Sequence, residues 1–269
     1  PSSTELLAFD ALPPPALPGD AAAFHAEMLA ALDSGWTAQL SALTLLRQLN
    51  RHFPAESDGL ACAFWPQLTR CLEHARPLVC KAGLVLLKEL VEVAPLSDEL
   101  VTRLEPLLAH KAFADKRFLQ AEARRTYDRL FQRGKPELLL VSAARTAQGT
   151  RGAVEELALR AVGACLAGLG PRLLELPAPA FSELLAALAK GIALERGPAY
   201  TAAVAALRTL FDGLGSTNFA RLVEALRVEH ALSPQTEQVL YVALARGSGG
   251  GAQGRARQSR TPLRRPRPV

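Results

Sequence analysis

The sequence has few of the residues that build β-sheets. Aromatic residues make up only 6% of its 269 positions, with two tryptophans and three tyrosines, and β-branched residues are sparse. Strands are enriched in aromatic and β-branched side chains, whereas leucine and alanine, which dominate here, favour helices. This balance argues against a sheet protein and predicts a fold of stacked helices.

Long apolar runs and catalytic motifs are also lacking. Runs such as GLVLLKELVEVA at 83–94 are interrupted by charge within about 18 residues, which predicts that no segment spans a membrane. The sequence has no nucleophile elbow, phosphate-binding loop, dinucleotide fingerprint or HExxH motif. Its five histidines are scattered and have no carboxylate at catalytic spacing. We therefore expect no enzymatic activity, no catalytic residue and no cofactor.

The four cysteines, Cys62, Cys71, Cys80 and Cys165, show neither disulfide nor zinc spacing. Cys71 and Cys80 flank His74, but their spacing differs from that of a zinc finger. The sequence thus predicts no metal site, and the cysteines are expected to be small apolar core residues on helices in a reducing cytosol.

Charge divides the chain into a nearly neutral body and a basic tail. The net charge is +5, and seven arginines with no acid lie after residue 245, so residues 1–245 carry a net charge of −2. We predict three parts: a Pro-rich lead-in at 1–20, a helical domain at 21–245, and a Gly/Arg/Pro-rich tail at 246–269. Leu6, Leu7 and Phe9 form a candidate docking strip in the lead-in.

The tail has a composition that cannot form a core, so it is expected to be disordered. Two interpretations stay open: a linker to a following domain, or a flexible polycation that binds an acidic partner. No aromatic residue is present for base stacking, which argues against sequence-specific nucleic-acid recognition. The tail arginines proposed for binding are Arg255, Arg257, Arg260, Arg264, Arg265 and Arg267.

Between the two ends, hydrophobic periodicity and the positions of proline and glycine predict helices throughout. The predicted helices are 21–32, 37–52, 60–74, 77–94, 97–110, 116–132, 136–146, 151–169, 179–195, 198–214, 217–230 and 234–245. Short connectors recur about 35 to 46 residues apart, close to the period of HEAT repeats. One helix pair cannot bury its apolar face alone, so stacked pairs would share a continuous core. The sequence predicts an all-α solenoid of about six HEAT-like pairs.

The connector DSGWTAQLSALTLLRQL at 33–49 places a tryptophan where the second helix of a pair begins. Trp36 is expected either to be exposed at an interface or to pack one repeat against the next. A later connector, Lys116-Arg117-Phe118, places two cations beside a helix N-terminus, where the helix dipole disfavours them. An external partner would explain why they are placed there.

Trp36 and the Lys116-Arg117-Phe118 loop are the specific features in which this chain resembles TOG domains of microtubule regulators. Over about residues 21–245 the sequence is similar to the CLASP-like and crescerin-type ciliary members, whose domains are six-repeat HEAT paddles. The resemblance implies that the loops inside the repeats hold tubulin along one edge of the paddle. The implied tubulin-binding residues are Trp36, Arg76, Lys116, Arg117, Arg151 and Arg196.

The resemblance also implies a partner and a location. The partner would be tubulin or the microtubule lattice, with other axonemal proteins as further candidates and no membrane. The location would be the cytoplasm and cytoskeleton, in the axoneme of a cilium or flagellum. The alternative left open is a HEAT-repeat scaffold or adaptor of another class that binds a peptide or protein in its groove.

Overall fold

A computed structural model describes residues 6–15, 21–93, 96–229 and 231–248. In these ranges the chain is all-helical and has no strand, as the composition predicts. The helices are α1 Ala21–Leu32, α2 Trp36–His52, α3 Pro54–Ala63, α4 Trp65–Glu73, α5 Pro77–Val93, α6 Asp98–Lys111, α7 Arg117–Arg133, α8 Pro136–Gly149, α9 Ala153–Leu169, α10 Ala178–Ile192, α11 Pro198–Val228 and α12 Pro234–Ser248. The tail from 249 onward, with its six candidate arginines, lies outside the described residues.

One predicted helix differs from the structure, and one predicted break lies inside a range that has a single label. The predicted helix 60–74 is two helices, α3 and α4, because the backbone at Phe64 leaves the helical region (φ −98°, ψ 14°) while its side chain is fully buried. Pro66 then lies in the first turn of α4, where proline removes no helical hydrogen bond. The predicted helices 198–214 and 217–230 correspond to two helical segments within α11, which meet at Gly215, where the backbone is not helical (φ 74°, ψ 159°).

The second helices of the pairs form two packed groups in which neighbours run parallel. In α2 and α5, Arg47 and Glu89 lie at equivalent depths and form a buried ion pair, with 2.6 Å between Nη2 and Oε1. In α9 and α11, Gly163 faces Ala206, whose Cβ would lie 3.6 Å from a Cβ added at Gly163. In one group α2 packs against α5 and α5 against α7; in the other, α9 packs against the first part of α11. Between the groups, α9 packs mainly against α8 and not against α7.

The first helices form a layer, and they too run parallel to one another. Lys135, just before α8, pairs with Asp98 at the start of α6, with Nζ 2.8 Å from Oδ1. Further along the same two helices, Ser142 donates to Glu105 across 3.0 Å. Contacts continue from α8 to α10 and from α10 to α12. Successive packing of the first helices, with the second helices packed alongside them, is consistent with an α-solenoid.

This arrangement fixes where the connectors lie. Because neighbouring first helices run parallel, and neighbouring second helices do too, every connector from a first to a second helix lies at one end of the helices. We call that end the loop edge; it contains loops 1 to 5, defined as the connectors α1–α2, α4–α5, α6–α7, α8–α9 and α10–α11. The return connectors, such as α2–α3 and α7–α8, lie at the opposite edge.

One helical stretch has the length and apolar composition of a membrane span, although no such segment is predicted from the sequence. Within the described residues, Ala153–Glu175 is long and apolar enough to cross a bilayer by length and composition alone, with a mean hydropathy of 1.4. Its first part, α9, packs against both α8 and α11, and Ala158, Leu159 and Val162 are fully buried. Contact with helices on several sides accounts for this apolar composition.

Candidate functional site

Loops 1 and 2 are joined by a contact between two of the residues implied by the resemblance. Trp36 is the first residue of α2, and 37% of its surface is exposed. The Arg76 guanidinium carbon lies 4.6 Å from the centroid of the Trp36 ring, a cation–π contact between neighbouring repeats. An exposed ion pair between Arg70 and Asp33 is a second contact between the same two repeats. Trp36 therefore both packs against the next repeat and presents part of its indole to solvent.

Loop 3 combines half-buried and exposed positions. Lys116 immediately precedes α7 and is half-buried, whereas Arg117 and Phe118 are exposed. Phe118 has 42% of its surface accessible, beside Arg117. Lys116 precedes α7, which packs against α5. Burial raises the pKa of the Cys80 thiol on α5, and the charge of Lys116 offsets part of that rise. Loops 2 and 3 are thus close neighbours on the loop edge.

A repeated hydrogen bond holds the first three loops. The fourth residue of α2, α5 and α7 is Gln39, Cys80 and Gln120, respectively. Each donates to a carbonyl at the end of the preceding helix or just after it: Leu32 at 3.2 Å, His74 at 2.9 Å and Ala114 at 2.6 Å. These carbonyls otherwise lack helical partners, so the bonds fix each loop against its own second helix.

Loop 4 carries the exposed Arg151 and is fixed by hydrogen bonds from a lysine of the next repeat. Lys190, near the end of α10, donates to the carbonyls of Ala147 (2.7 Å) and Gln148 (3.0 Å) and to that of Thr150. Its ammonium also lies 3.3 Å from Oε1 of the buried Glu155, although without hydrogen-bond geometry. Arg151 is exposed on this fixed loop.

Replacing Lys190 with methionine is expected to lower the free energy of unfolding by about 2–3 kcal/mol, because three carbonyls lose a charged donor and Glu155 loses its counter-charge. Chemical denaturation measures this loss, and amide exchange in loop 4 should rise with it. Lys81→Met, at an exposed position on α5, is the control and should change stability little. Equal effects of the two changes would contradict the role of Lys190.

Loop 5 presents Arg196 on an unusual backbone. Glu195 has a φ of 61°, in the left-handed region that non-glycine residues seldom occupy, and Gly197 follows at 94°. Leu194, just before them, is 47% exposed, and Arg196 is also exposed. The turn thus places a leucine and an arginine together at the end of the loop edge.

The structure therefore places all six residues implied by the resemblance in or beside the loops of one edge. Five are exposed and Lys116 is half-buried. Two further exposed apolar residues, Phe118 and Leu194, belong to the same edge but are not among the six. Leu194 has no sequence signal of its own, because it continues the apolar pattern of α10 and is exposed only by the turn that follows.

Metal-ligand clusters and reactive thiols are lacking among the described residues. Among them, no group of three or more His, Cys, Asp or Glu side chains could hold a metal. Burial raises the pKa of Cys71 to about 11 and that of Cys165 to about 12, so both thiols are poor nucleophiles. A groove of about 380 Å³ between α6 and α8 has neither a carboxylate nor a thiol among its lining residues.

Comparison with known proteins does not identify the chain. No family model matches it, and no curated protein does. The resemblance to TOG domains therefore stays a prediction that rests on the loop residues described above.

Proposed function

We propose that this chain is a non-catalytic, TOG-like domain that binds tubulin or the microtubule lattice through its loop edge. The observation that carries the proposal is the arrangement of the edge. Parallel helices place five loops side by side, and those loops combine an exposed tryptophan with five cations. In finer detail, we propose six HEAT-like pairs in a paddle, followed by a disordered basic tail, within an axonemal protein of the cytoskeleton.

The chemistry of the edge suits a large acidic protein surface. Partly exposed aromatic side chains are frequent anchors of binding energy, and Trp36 supplies one at the first loop. The cations of the other loops would steer an acidic partner and fix its register. Adjacent packed helices lie about 8–10 Å apart, so the five loops extend over several tens of ångströms. A row of that length fits a folded surface better than a small ligand.

Side-chain hydrogen bonds favour this proposal further. Gln39, Cys80, Gln120 and Lys190 hold loops 1 to 4 in place. A pre-organised surface loses less conformational entropy when it binds. The alternative of a scaffold that binds a peptide or helix is favoured by one observation, the groove between α6 and α8.

Microtubule co-sedimentation of three proteins tests the proposal. The full chain should bind; a Trp36→Glu, Lys116→Glu variant should lose most of its affinity; and truncation after Ala245 should retain edge binding with a weaker salt dependence. Loss in the truncated chain alone would assign binding to the tail and contradict the role of the edge. Binding unchanged in both variants would contradict the whole mechanism.

A further inference from the structure

The described part of the lead-in, Leu6–Pro15, lies along the second half of α2. It contains one 3₁₀ turn, Phe9–Ala11, which packs against α2 and is flanked by extended backbone at Ala8 and Leu12. We call this segment the strap. Of the predicted docking strip, Leu6 packs against the core and Phe9 is half-buried, but Leu7 is 53% exposed.

Three side chains of α2 bind the main chain of the strap. Arg47 donates to the carbonyl of Leu7 at 2.8 Å. Arg51 donates from one nitrogen to the carbonyls of Phe9 at 2.9 Å and Leu12 at 2.8 Å. His52 Nε2 lies 3.2 Å from the same Leu12 oxygen, and because a carbonyl only accepts, the ring nitrogen is the donor. The contacts therefore recognise the peptide backbone at three carbonyls.

One side chain of the strap adds an apolar anchor. Leu12 is only 2% exposed, although it lies outside the main helices. Beneath the strap, Arg47 is held by two hydrogen bonds to the Glu89 carboxylate, of 2.8 and 2.6 Å. The arginine that reaches the strap is thus oriented by an ion pair that belongs to the solenoid itself. Such a pre-oriented donor set, with a buried leucine position beside it, has the parts of a peptide site.

We propose that Arg47, Arg51 and His52, together with the position of Leu12, form a peptide-binding site on α2, and that the strap is its ligand, held in cis. The site takes a largely apolar segment with one 3₁₀ turn that presents carbonyls at three positions, spaced as in Leu7, Phe9 and Leu12, with a leucine at the last. The strap binds by its own contacts, so it remains bound when it is no longer covalently joined to the domain. A free peptide of the same sequence exchanges with it.

This assignment is independent of tubulin binding. The site lies at the second half of α2, whereas Trp36 is the first residue of that helix. In cis, the short connection gives the strap an effective concentration of about millimolar. A peptide in trans therefore competes effectively only after that connection is cut.

The test uses the full chain with residues 16–20 replaced by a protease recognition sequence. After cleavage, the fragment should stay with the domain on gel filtration, and a labelled peptide of residues 1–15 should replace it saturably. Arg51→Ala in the domain should lower the affinity for the peptide by about tenfold to a hundredfold, because one guanidinium donates to two carbonyls. Arg208→Ala, at an exposed position on α11, is the matched control and should change nothing.

Variants of the peptide leave the fold of the domain untouched. Leu12→Ala should reduce affinity by about tenfold or more, since it removes a buried leucine. Leu7→Ala should leave affinity unchanged, because that side chain is exposed while its carbonyl, the group that is bound, is retained. A fragment that leaves at once without measurable affinity, or equal effects of Leu7→Ala and Leu12→Ala, would overturn the proposal.

Discussion

Replacing Glu89 with alanine is expected to lower the free energy of unfolding by about 3–5 kcal/mol, because it leaves Arg47 charged, buried and without its partner. The side chains of Arg47 and Glu89 are 2% and 6% exposed and make two hydrogen bonds. Burial raises the pKa of Glu89, and the Arg47 guanidinium offsets part of that rise. Denaturant unfolding of the variant and the unmodified chain measures the difference.

The matched control is Glu99→Ala, which removes an exposed ion pair with Arg103 one helical turn away. Its cost should be below about 1 kcal/mol, because exposed pairs contribute little. Replacing both Arg47 and Glu89 with methionine should cost less than Glu89→Ala alone, since no buried charge is then left unpaired. A Glu89→Ala variant that is as stable as the double methionine variant, or more stable, would contradict this account.

Replacing Glu105 with leucine is expected to cost about 3 kcal/mol, because three buried hydroxyl groups lose their acceptor. Glu105 is fully buried on α6 and accepts from Tyr127 at 2.9 Å, Ser142 at 3.0 Å and Thr146 at 2.6 Å. These bonds join α6 to α7 and α8. Glu99→Leu, on the exposed face of the same helix, is the control for a change of helix propensity, and similar losses from both variants would contradict the prediction.

The same carboxyl group should make stability depend on pH. Burial raises the pKa of Glu105 above its ordinary value of 4.5, and the hydroxyl donors offset part of the rise. A raised folded-state pKa means that the folded chain binds the proton more tightly, so stability falls as pH rises from 4.5 through the raised value. Relative to Glu105→Gln, the unmodified chain should therefore gain stability on acidification through that window. A difference independent of pH would contradict the burial of an ionisable group there.

The helices could be predicted because their signals are local. Apolar periodicity and the placement of proline and glycine are read within one or two turns, so most predicted helices agree with the structure to within a few residues. The error at residues 60–74 concerns a local signal as well. Pro66 lies inside the predicted helix 60–74, although proline favours the first turn of a helix, so it is a local sign of the boundary at Phe64 that the prediction did not use. Gly215, by contrast, ends the first helical segment of α11 as the sequence predicts, because its backbone leaves the helical region (φ 74°, ψ 159°).

The contacts that organise the loop edge could be predicted only in part. The tryptophan and the cations are visible in the sequence, and the repeat period indicates that their loops share an edge. The stacking of Arg76 on Trp36 joins two repeats, and no local pattern encodes it. The pairing of Arg47 with Glu89 spans 42 residues, and each alone reads as an ordinary charge on an amphipathic helix. Such pairs follow from tertiary packing.

The two edges of the molecule offer a matched comparison for the proposed function. Trp36 and Lys116 belong to the loop edge. At the opposite edge, Phe53 is 40% exposed, and Lys135 precedes α8 in the same extended backbone conformation that Lys116 has before α7. Changing each pair alters one exposed aromatic residue and one lysine. The Lys135 change also removes an ion pair with Asp98, but that pair is exposed and contributes little to stability.

The most direct test is the microtubule affinity of Trp36→Ala, Lys116→Glu compared with that of Phe53→Ala, Lys135→Glu, both measured by co-sedimentation against the unmodified chain. We expect a loss of about 30-fold or more for the loop-edge pair, since anchor residues typically contribute 2 kcal/mol or more, and less than about threefold for the opposite pair. Equal losses, or a loss confined to the opposite edge, would contradict the proposal that this chain binds microtubules through its loop edge.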